Sequence, residues 1–111
     1  MATARELTDQ GFDHFAKGNP DAALETLKQA IAADPNYIEA WRNLAMVCGS
    51  KGMLEEAVSA ARRVVEIDPD DQLGYVSLSM LLQRQGKIPE AEDAKAAAMT
   101  AQMRRRGDPG S

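Results

Sequence analysis

The sequence predicts an all-α fold of six helices arranged as three hairpins, and both composition and spacing support this prediction. Ala, Leu, Glu, Lys, Gln, Arg and Met, which are good helix formers, make up most of the 111 residues. A sheet would need more Val, Ile and Thr than the chain contains. Gly18, Gly52 and Gly86 recur every 34 residues, and each divides its repeat into two segments of helical length. We therefore expect each glycine to lie in the turn between two paired helices.

Other residues recur at the same interval and define the limits of the repeats. Ala23, Ala57 and Ala91 are 34 residues apart, and Asp34-Pro35 returns as Asp68-Pro69. Several coincidences in one phase indicate an internal repeat. The expected organisation is a single domain at residues 1–106, with repeats at 4–37, 38–71 and 72–105, and a short flexible tail at 107–111.

Local signals predict where most of the first five helices begin. Thr3-Ala4-Arg5-Glu6 has the pattern of a capping box and predicts the start of the first helix. Asn19-Pro20 predicts the start of the second helix, with Asn as the N-cap and Pro in the first turn. Asn36 and Asp70 occupy equivalent positions in their repeats, and we expect them to cap the third and fifth helices.

The sixth helix is also bounded by sequence signals. It should begin at Ile88-Pro89, because proline is favoured in the first turn of a helix. Gly107 and Pro109 should end it. Arg104-Arg105-Arg106 would then lie in its last turn, where cations complement the negative end of the helix dipole.

In the first helix of each repeat, a large residue is followed four places later by a small one. The large residues are Leu7, Trp41 and Tyr75, and the small ones are Gly11, Ala45 and Ser79. A small side chain there lets the two helices of a hairpin approach closely. This pattern, with its repeat length, resembles the tetratricopeptide repeat family. The resemblance is most complete in the second repeat, at Trp41, Leu44, Ala45, Ala57 and Pro69.

The resemblance covers about residues 4–105 and implies a right-handed α-solenoid that binds other proteins. The chain departs from the family pattern at three positions. Gln10 and Lys95 stand where a large residue is usual, and Met103 stands where a proline is usual. All three lie in the terminal repeats, which lack a neighbour on one side, so polar replacements there fit a capping role.

The sequence predicts no enzyme active site, cofactor or metal. His14 and Cys48 have the chemistry of a base and a nucleophile, but they occupy equivalent positions in successive repeats, which Leu82 fills in the third. They should therefore be separated by about one helix-packing distance, roughly 8 to 10 Å, which exceeds hydrogen-bond reach. A single Cys and a single His cannot build a zinc site. The chain also lacks a Gly-rich phosphate loop and an H-E-x-x-H motif.

Charge and hydropathy exclude further classes of function. With 17 acidic and 13 basic residues, the chain lacks the basic surface of a nucleic-acid-binding protein. Its uncharged stretches are shorter than the roughly 20 apolar residues of a membrane-spanning helix. No basic and then apolar segment begins the chain, so we expect a cytoplasmic protein. Charge is unevenly distributed, because the three repeats carry net charges of −3, −3 and +2.

The resemblance also implies a binding surface, because the first helices of such repeats line a concave face on which a partner's segment lies. The residues expected to contact a protein partner there are Arg5, Thr8, Phe12, Arg42, Asn43, Met46, Val76, Ser77 and Met80. Among them, Phe12, Met46 and Met80 recur every 34 residues and would form an apolar row. An exposed apolar row would be a binding surface, although the same helical spacing is compatible with three core residues.

The mode of binding is also restricted by the resemblance. Chaperone-binding members of the family hold a partner's terminal carboxylates with a clamp of Lys, Asn and Arg. Only Asn43 fits that clamp here, since Thr8, Phe12, Leu73 and Ser77 occupy other clamp positions. The expected function is therefore an adaptor that binds a peptide segment of another protein, and not an adaptor of the carboxylate-clamp type.

Two alternative functions remain open at this point. The first is a structural scaffold that self-assembles as a weak homo-oligomer through its terminal helices, with Met99 and Met103 of the C-terminal helix available for contact. The second is a secretion-type chaperone, because some bacterial secretion chaperones are three-repeat members of the same family. Those chaperones usually carry extra helices before the repeats, whereas three residues precede Ala4 here.

Overall fold

The computed structural model describes residues 2–107, and this part of the chain forms six α-helices and no strand. The helices are α1 (Ala4–Ala16), α2 (Pro20–Ala33), α3 (Ile38–Ser50), α4 (Leu54–Ile67), α5 (Gln72–Arg84) and α6 (Ile88–Arg105). Helix α1 packs on α2, α3 on α4, and α5 on α6, so the prediction of six helices in three hairpins is confirmed. The expected tail after Gly107, including Pro109, lies outside the described residues.

The three hairpins stack in chain order. Helix α2 packs against α3, α4 packs against α5, and α1 also contacts α3. The stack measures 48 × 31 × 21 Å along its principal axes, as expected for a short solenoid in which each repeat contacts its neighbours. Between residues 2 and 107, no helix combines the length and the apolar character needed to cross a membrane.

The turn inside each hairpin depends on a glycine with a left-handed backbone. Gly18, Gly52 and Gly86 have φ angles of 81°, 78° and 79°, which other residues adopt only with strain. After Gly18, the Asn19 N–H donates a hydrogen bond of 2.8 Å to the His14 carbonyl, and an equivalent bond follows the other two glycines. This geometry is the one that commonly ends helices, so the predicted position of the three glycines is confirmed.

Most of the predicted helix boundaries are confirmed. The Thr3 hydroxyl accepts a hydrogen bond from the Glu6 N–H, and the Glu6 carboxylate accepts one from the Thr3 N–H, both at 3.1 Å. Asn19 precedes α2 as expected, but its side chain makes no capping hydrogen bond. Helix α6 begins at Ile88, and Gly107 follows it with a φ angle of 73°.

Two predicted caps are wrong by one residue. Helices α3 and α5 begin after Tyr37 and Asp71, so Asn36 and Asp70 are not their N-caps. The aspartate of each Asp-Pro turn explains the difference. Its carboxylate accepts the N–H of Asn36 at 3.0 Å in one turn and that of Asp70 at 3.1 Å in the other. These local hydrogen bonds keep the chain in a turn for one more residue.

Small residues bring the paired helices together, as predicted. A Cβ atom on Gly11 would lie 2.8 Å from Cγ of Leu27, closer than side chains can pack. At the equivalent position in the third repeat, the Ser79 hydroxyl donates a hydrogen bond of 2.8 Å to the Ala91 carbonyl across the hairpin. The large side chains that are buried most completely are Leu27, Val47, Cys48, Val64 and Leu82.

Candidate functional site

The first helices of the hairpins expose large apolar side chains. Phe12 of α1, Met46 of α3 and Met80 of α5 are 49%, 39% and 59% exposed, and we refer to them as the apolar row. Leu73 and Val76 of α5 are also exposed. None of these five side chains belongs to the buried core cluster, so the alternative that the row is part of the core is wrong. Soluble proteins seldom leave such a row in water without a binding role.

A cleft of about 510 Å³ separates α3 from α5 and contains two members of the apolar row. Its lining, which we call the α3–α5 cleft, consists of Arg42, Ala45, Met46, Gly49, Ser50, Ser77, Met80, Leu81 and Arg84. The apolar residues form its floor, and an arginine lies near each end. Such a cleft can hold an apolar side chain and place polar groups beside a cation.

A second cleft, of about 410 Å³, lies between α1 and α3. This α1–α3 cleft is lined by Thr8, Asp9, Phe12, Asp13, Tyr37, Glu39 and Asn43. Three of these seven residues are acidic, and Phe12 contributes the large exposed apolar surface. The two clefts therefore differ in character, because the α3–α5 cleft is mostly apolar and the α1–α3 cleft is mostly polar.

Arg42 is held by two carboxylates at one end of the α3–α5 cleft. Its Nε atom lies 3.1 Å from Glu39 Oε1, and its Nη2 atom lies 2.6 Å from Asp71 Oδ2. Asp71 is buried at the start of α5, so this pair ties α3 to the next hairpin. Neither contact has the alignment of a hydrogen bond, so charge attraction holds the guanidinium in place. Two carboxylates around one arginine leave this end of the cleft without excess positive charge.

Most of the residues predicted to bind a partner line one of the two clefts. The α3–α5 cleft includes Arg42, Met46, Ser77 and Met80, and the α1–α3 cleft includes Thr8, Phe12 and Asn43. Arg5 and Val76 are exposed but lie outside both linings.

Thr8 forms part of the floor of the α1–α3 cleft. Its side chain is buried, and its hydroxyl donates a hydrogen bond of 2.7 Å to the Ala4 carbonyl one turn earlier in α1. The hydroxyl is therefore used within the helix and shows little surface to a partner. Thr8 shapes the cleft, whereas Phe12 and Asn43 supply more of its accessible surface.

Sequence reasoning missed Gly49 and Arg84, which line the α3–α5 cleft. A usable signal was present, because Gly49 follows Met46 by three residues and Arg84 follows Met80 by four. Residues at those spacings share one face of a helix. Extending the predicted surface by one helical turn would have included both.

Cys48 and His14 do not form a reactive pair. Cys48 is buried in the core, and burial raises the pKa of its thiol, with a smaller contribution from the negative charge of Glu56. A raised pKa disfavours the thiolate that a cysteine nucleophile requires. Within residues 2–107, no group of three or more His, Cys, Asp or Glu side chains is arranged to hold a metal ion.

Comparison with known protein families supports the fold. The family model for the tetratricopeptide repeat matches residues 14–78, which is more than half of the chain. The matched segment contains α3 and α4 completely, with most of α2 and the first half of α5.

Two curated relatives show the same relationship at the level of sequence. The STIP1 homolog of Dictyostelium discoideum is 27% identical over 96 residues, which cover 86% of this chain and 17% of that protein. The small glutamine-rich tetratricopeptide repeat-containing protein 2 of Mycosarcoma maydis is 36% identical over 56 residues, which cover 50% of this chain and 16% of that protein. The chain thus spans about a sixth of the length of each relative.

Three solved structures share the architecture. MamA matches with a TM-score of 0.90 and 24% identity, over 95% of this chain and 61% of that one. The second TPR domain of Spaghetti (RPAP3), bound to the HSP90 peptide SRMEEVD, matches with a TM-score of 0.83 and 22% identity over 89% and 92%. YrrB, described as a TPR protein with an unusual peptide-binding site, matches with a TM-score of 0.83 and 24% identity over 92% and 53%. At these identities, the similarity establishes the fold.

Proposed function

Because the chain belongs to the tetratricopeptide repeat family, we propose that it is a protein-interaction adaptor that holds a peptide segment of a partner in the groove formed by α1, α3 and α5. The observation that carries this proposal is the exposed apolar row of Phe12, Met46 and Met80, which lies along two adjacent clefts. Binding would bury this surface. Two of the three residues are methionines, whose flexible side chains adapt to varied partners.

The structural neighbours are consistent with this proposal. The RPAP3 domain is bound to a peptide, and YrrB has a peptide-binding site. Both share the fold of this chain, so the same scaffold is capable of holding an extended segment. The side chains that would contact the partner are particular to this chain, and the nature of the partner follows from them.

The expected affinity is modest. Three apolar anchors contribute about 1.5 to 3 kcal/mol each, or roughly 5 to 9 kcal/mol together. Association opposes this with a loss of translational and rotational freedom of about 4 kcal/mol or more. A short peptide should therefore bind with a Kd that is micromolar at best, unless polar contacts or several copies of the site add to it.

The composition of the groove favours a partner held by its side chains over one held by its C-terminus. Of the positions where related proteins hold a terminal carboxylate, Phe12 and Leu73 are apolar, and Thr8 and Ser77 are uncharged. Without those cations, a terminal carboxylate would lose its water without gaining an ion pair. We therefore infer that the segment is internal to its partner or binds independently of its terminus.

The first test is Met46→Glu, which places a charge in the middle of the apolar row. Capture of partner proteins from a native lysate should fall at least about tenfold, because a charged side chain resists burial under a bound segment. Helix content and thermal unfolding should stay unchanged, since the Met46 side chain is exposed at the cleft. Pull-down, circular dichroism and thermal melting measure these quantities.

Met99→Glu is the matched control. Met99 is exposed on α6, outside the lining of both clefts, so the same chemical change there should leave capture intact. The proposal fails if Met46→Glu binds as well as the unmodified chain, or if both variants lose binding equally. An unfolded Met46→Glu variant would also contradict the assignment of Met46 to an exposed surface.

A further inference from the structure

The α3–α5 cleft contains a space where a side chain is missing from α3. Gly49 lies on the wall of this cleft and is the 34-residue equivalent of Phe15 in the first repeat and Gln83 in the third. The ring of Phe15 packs against the hydrophobic core. The second repeat thus has no side chain at a position where the first repeat has a phenyl ring.

Neither backbone geometry nor helix packing requires this glycine. Gly49 lies within α3 and is not among the glycines with positive φ. At Gly11 and Gly74, an added Cβ would lie 2.8 and 2.9 Å from core side chains, so those glycines are needed for close packing. At Gly49 the nearest atom would be 3.3 Å away, and it is the terminal Cδ2 of Leu81, which can move. The main consequence of Gly49 is therefore an open cleft.

The open space lies next to a cation. A Cβ on Gly49 would be 3.5 Å from Nη1 of Arg84, so this guanidinium lies beside the gap. Arg84 is exposed, and the ion pairs found among residues 2–107 do not include it. Arg42, near the opposite end of the cleft, has Glu39 and Asp71 beside it. The uncompensated positive charge of the cleft is thus concentrated at Arg84.

We propose that the α3–α5 cleft is a subsite for one large apolar side chain of the partner's segment, flanked within two residues by an aspartate or glutamate. The apolar side chain occupies the space above Gly49, against Met46, Met80 and Leu81. The flanking carboxylate pairs with Arg84. In an extended segment, neighbouring residues are about 3.3 Å apart, so a carboxylate one or two positions away is within reach of the arginine. This inference rests on the proposed function and specifies its ligand.

The test is a selection from a phage-displayed library of random dodecapeptides against the unmodified chain and two variants. Against the unmodified chain, the enriched peptides should pair a large apolar residue with Asp or Glu one or two positions away. Against Arg84→Glu, which changes an exposed side chain, the acidic residue should be replaced by Lys or Arg. Against Gly49→Leu, which fills the cleft, the large apolar residue should no longer be enriched.

Binding constants for one selected peptide then make the test quantitative. In fluorescence polarisation, the unmodified chain should bind it about three- to tenfold more tightly than a twin with lysine in place of the acidic residue, and Arg84→Glu should reverse the preference. Lys95→Glu, the same charge change at an exposed site on α6, should leave the preference unaltered. Circular dichroism of Gly49→Leu shows whether its result reflects a filled cleft or a misfolded chain. Arg84→Glu decides the proposal in either case.

The outcomes separate this inference from the proposed function. If the selected peptides bind through Met46 but show no acidic preference, or keep it with Arg84→Glu, the subsite is wrong while the adaptor function stands. If the library yields no peptide that Met46→Glu releases, the proposed function and the subsite both fail.

Discussion

Cys48 shows how one position can accept different side chains in successive repeats. Its equivalents are His14 in the first repeat and Leu82 in the third. Cys48 and Leu82 are both in the core, whereas His14 in the terminal repeat is half-buried. A free cysteine in such a place behaves as a small apolar residue, so its chemistry is suppressed by its surroundings.

Cys48 should therefore react slowly with thiol reagents in the native protein. Its labelling by iodoacetamide at pH 8 should be at least about 100-fold slower than in urea, because reaction needs local opening of the core. Since the folded pKa is raised above the ordinary value of 9.0, the buried thiol contributes stability below that pH, which is lost as pH rises further. Mass spectrometry of timed samples measures the rate. Equal labelling rates in buffer and in urea would restore Cys48 as a candidate nucleophile.

Arg42 is a residue whose role changed once its neighbours were known. Its position in the repeat predicts a side chain free to contact a partner. In the structure, Glu39 and the buried Asp71 surround its guanidinium. Asp71 begins α5 and is 29 residues away in the chain, so no local pattern around Arg42 announces this pairing.

Among the elements, α1 has the most complete N-terminal cap. The side chain and backbone of Thr3 and Glu6 satisfy each other, whereas α2 to α6 begin without a side-chain capping hydrogen bond. Helix α1 lies at the end of the stack and packs against α2 and α3. A helix at an end has fewer tertiary contacts to stabilise it, so its local cap carries more weight.

Thr3→Ala should lower the free energy of unfolding by about 1 kcal/mol at pH 7, because the cap hydroxyl is lost. Hydrogen bonds from the backbone and side chain of Thr3 lower the pKa of Glu6 below its ordinary value of 4.5. Stability from this pair is therefore present above that pH and is lost as pH falls through the lowered pKa. Urea unfolding at several pH values should show the difference from the unmodified chain shrinking below about pH 4.5.

Thr100→Ala is the comparison for this experiment. Thr100 lies inside α6, where its hydroxyl bonds to the Ala96 carbonyl of the same helix, so alanine there should be neutral or slightly stabilising. If both threonine variants lose the same stability, the capping box has no special role.

At the scale of the whole molecule, the uneven charge of the repeats is partly compensated within the chain. The third repeat carries a net charge of +2, which suggested head-to-tail contact with the acidic first repeat. Arg104 pairs with Asp70 at 3.0 Å, and Arg105 pairs with Asp68 at 2.9 Å. These cations are thus engaged with the second repeat. The large apolar side chains that α6 exposes are Ile88 and Met99, near and beyond its first turn.

We expect the chain to sediment as a monomer up to about 100 µM, because two isolated apolar side chains provide much less than the roughly 1,000 Å² that a stable interface buries. Sedimentation velocity over a concentration series at low and high salt measures this. A sedimentation coefficient that rises with concentration, and that Met99→Glu restores to the monomer value, would instead support the self-assembling scaffold.

The sequence alone determined the number of helices, their pairing and the residues that are equivalent between repeats. These properties depend on local physics, since helix propensity, the left-handed backbone of Gly18, Gly52 and Gly86, and the capping box of Thr3 act within a few residues. The repeat then extends each local result along the chain. The same reasoning placed seven of the nine predicted binding residues along the two clefts.

Only the tertiary structure decided which of the equivalent residues are exposed and what lies beside them. The exposure of Phe12, Met46 and Met80, the carboxylates around Arg42 and the open space at Gly49 all depend on how one hairpin is set against the next. That arrangement is the sum of many contacts between residues distant in the chain. The physical reason is therefore one of range: helices are specified over a few residues, whereas a cleft is the gap between two of them.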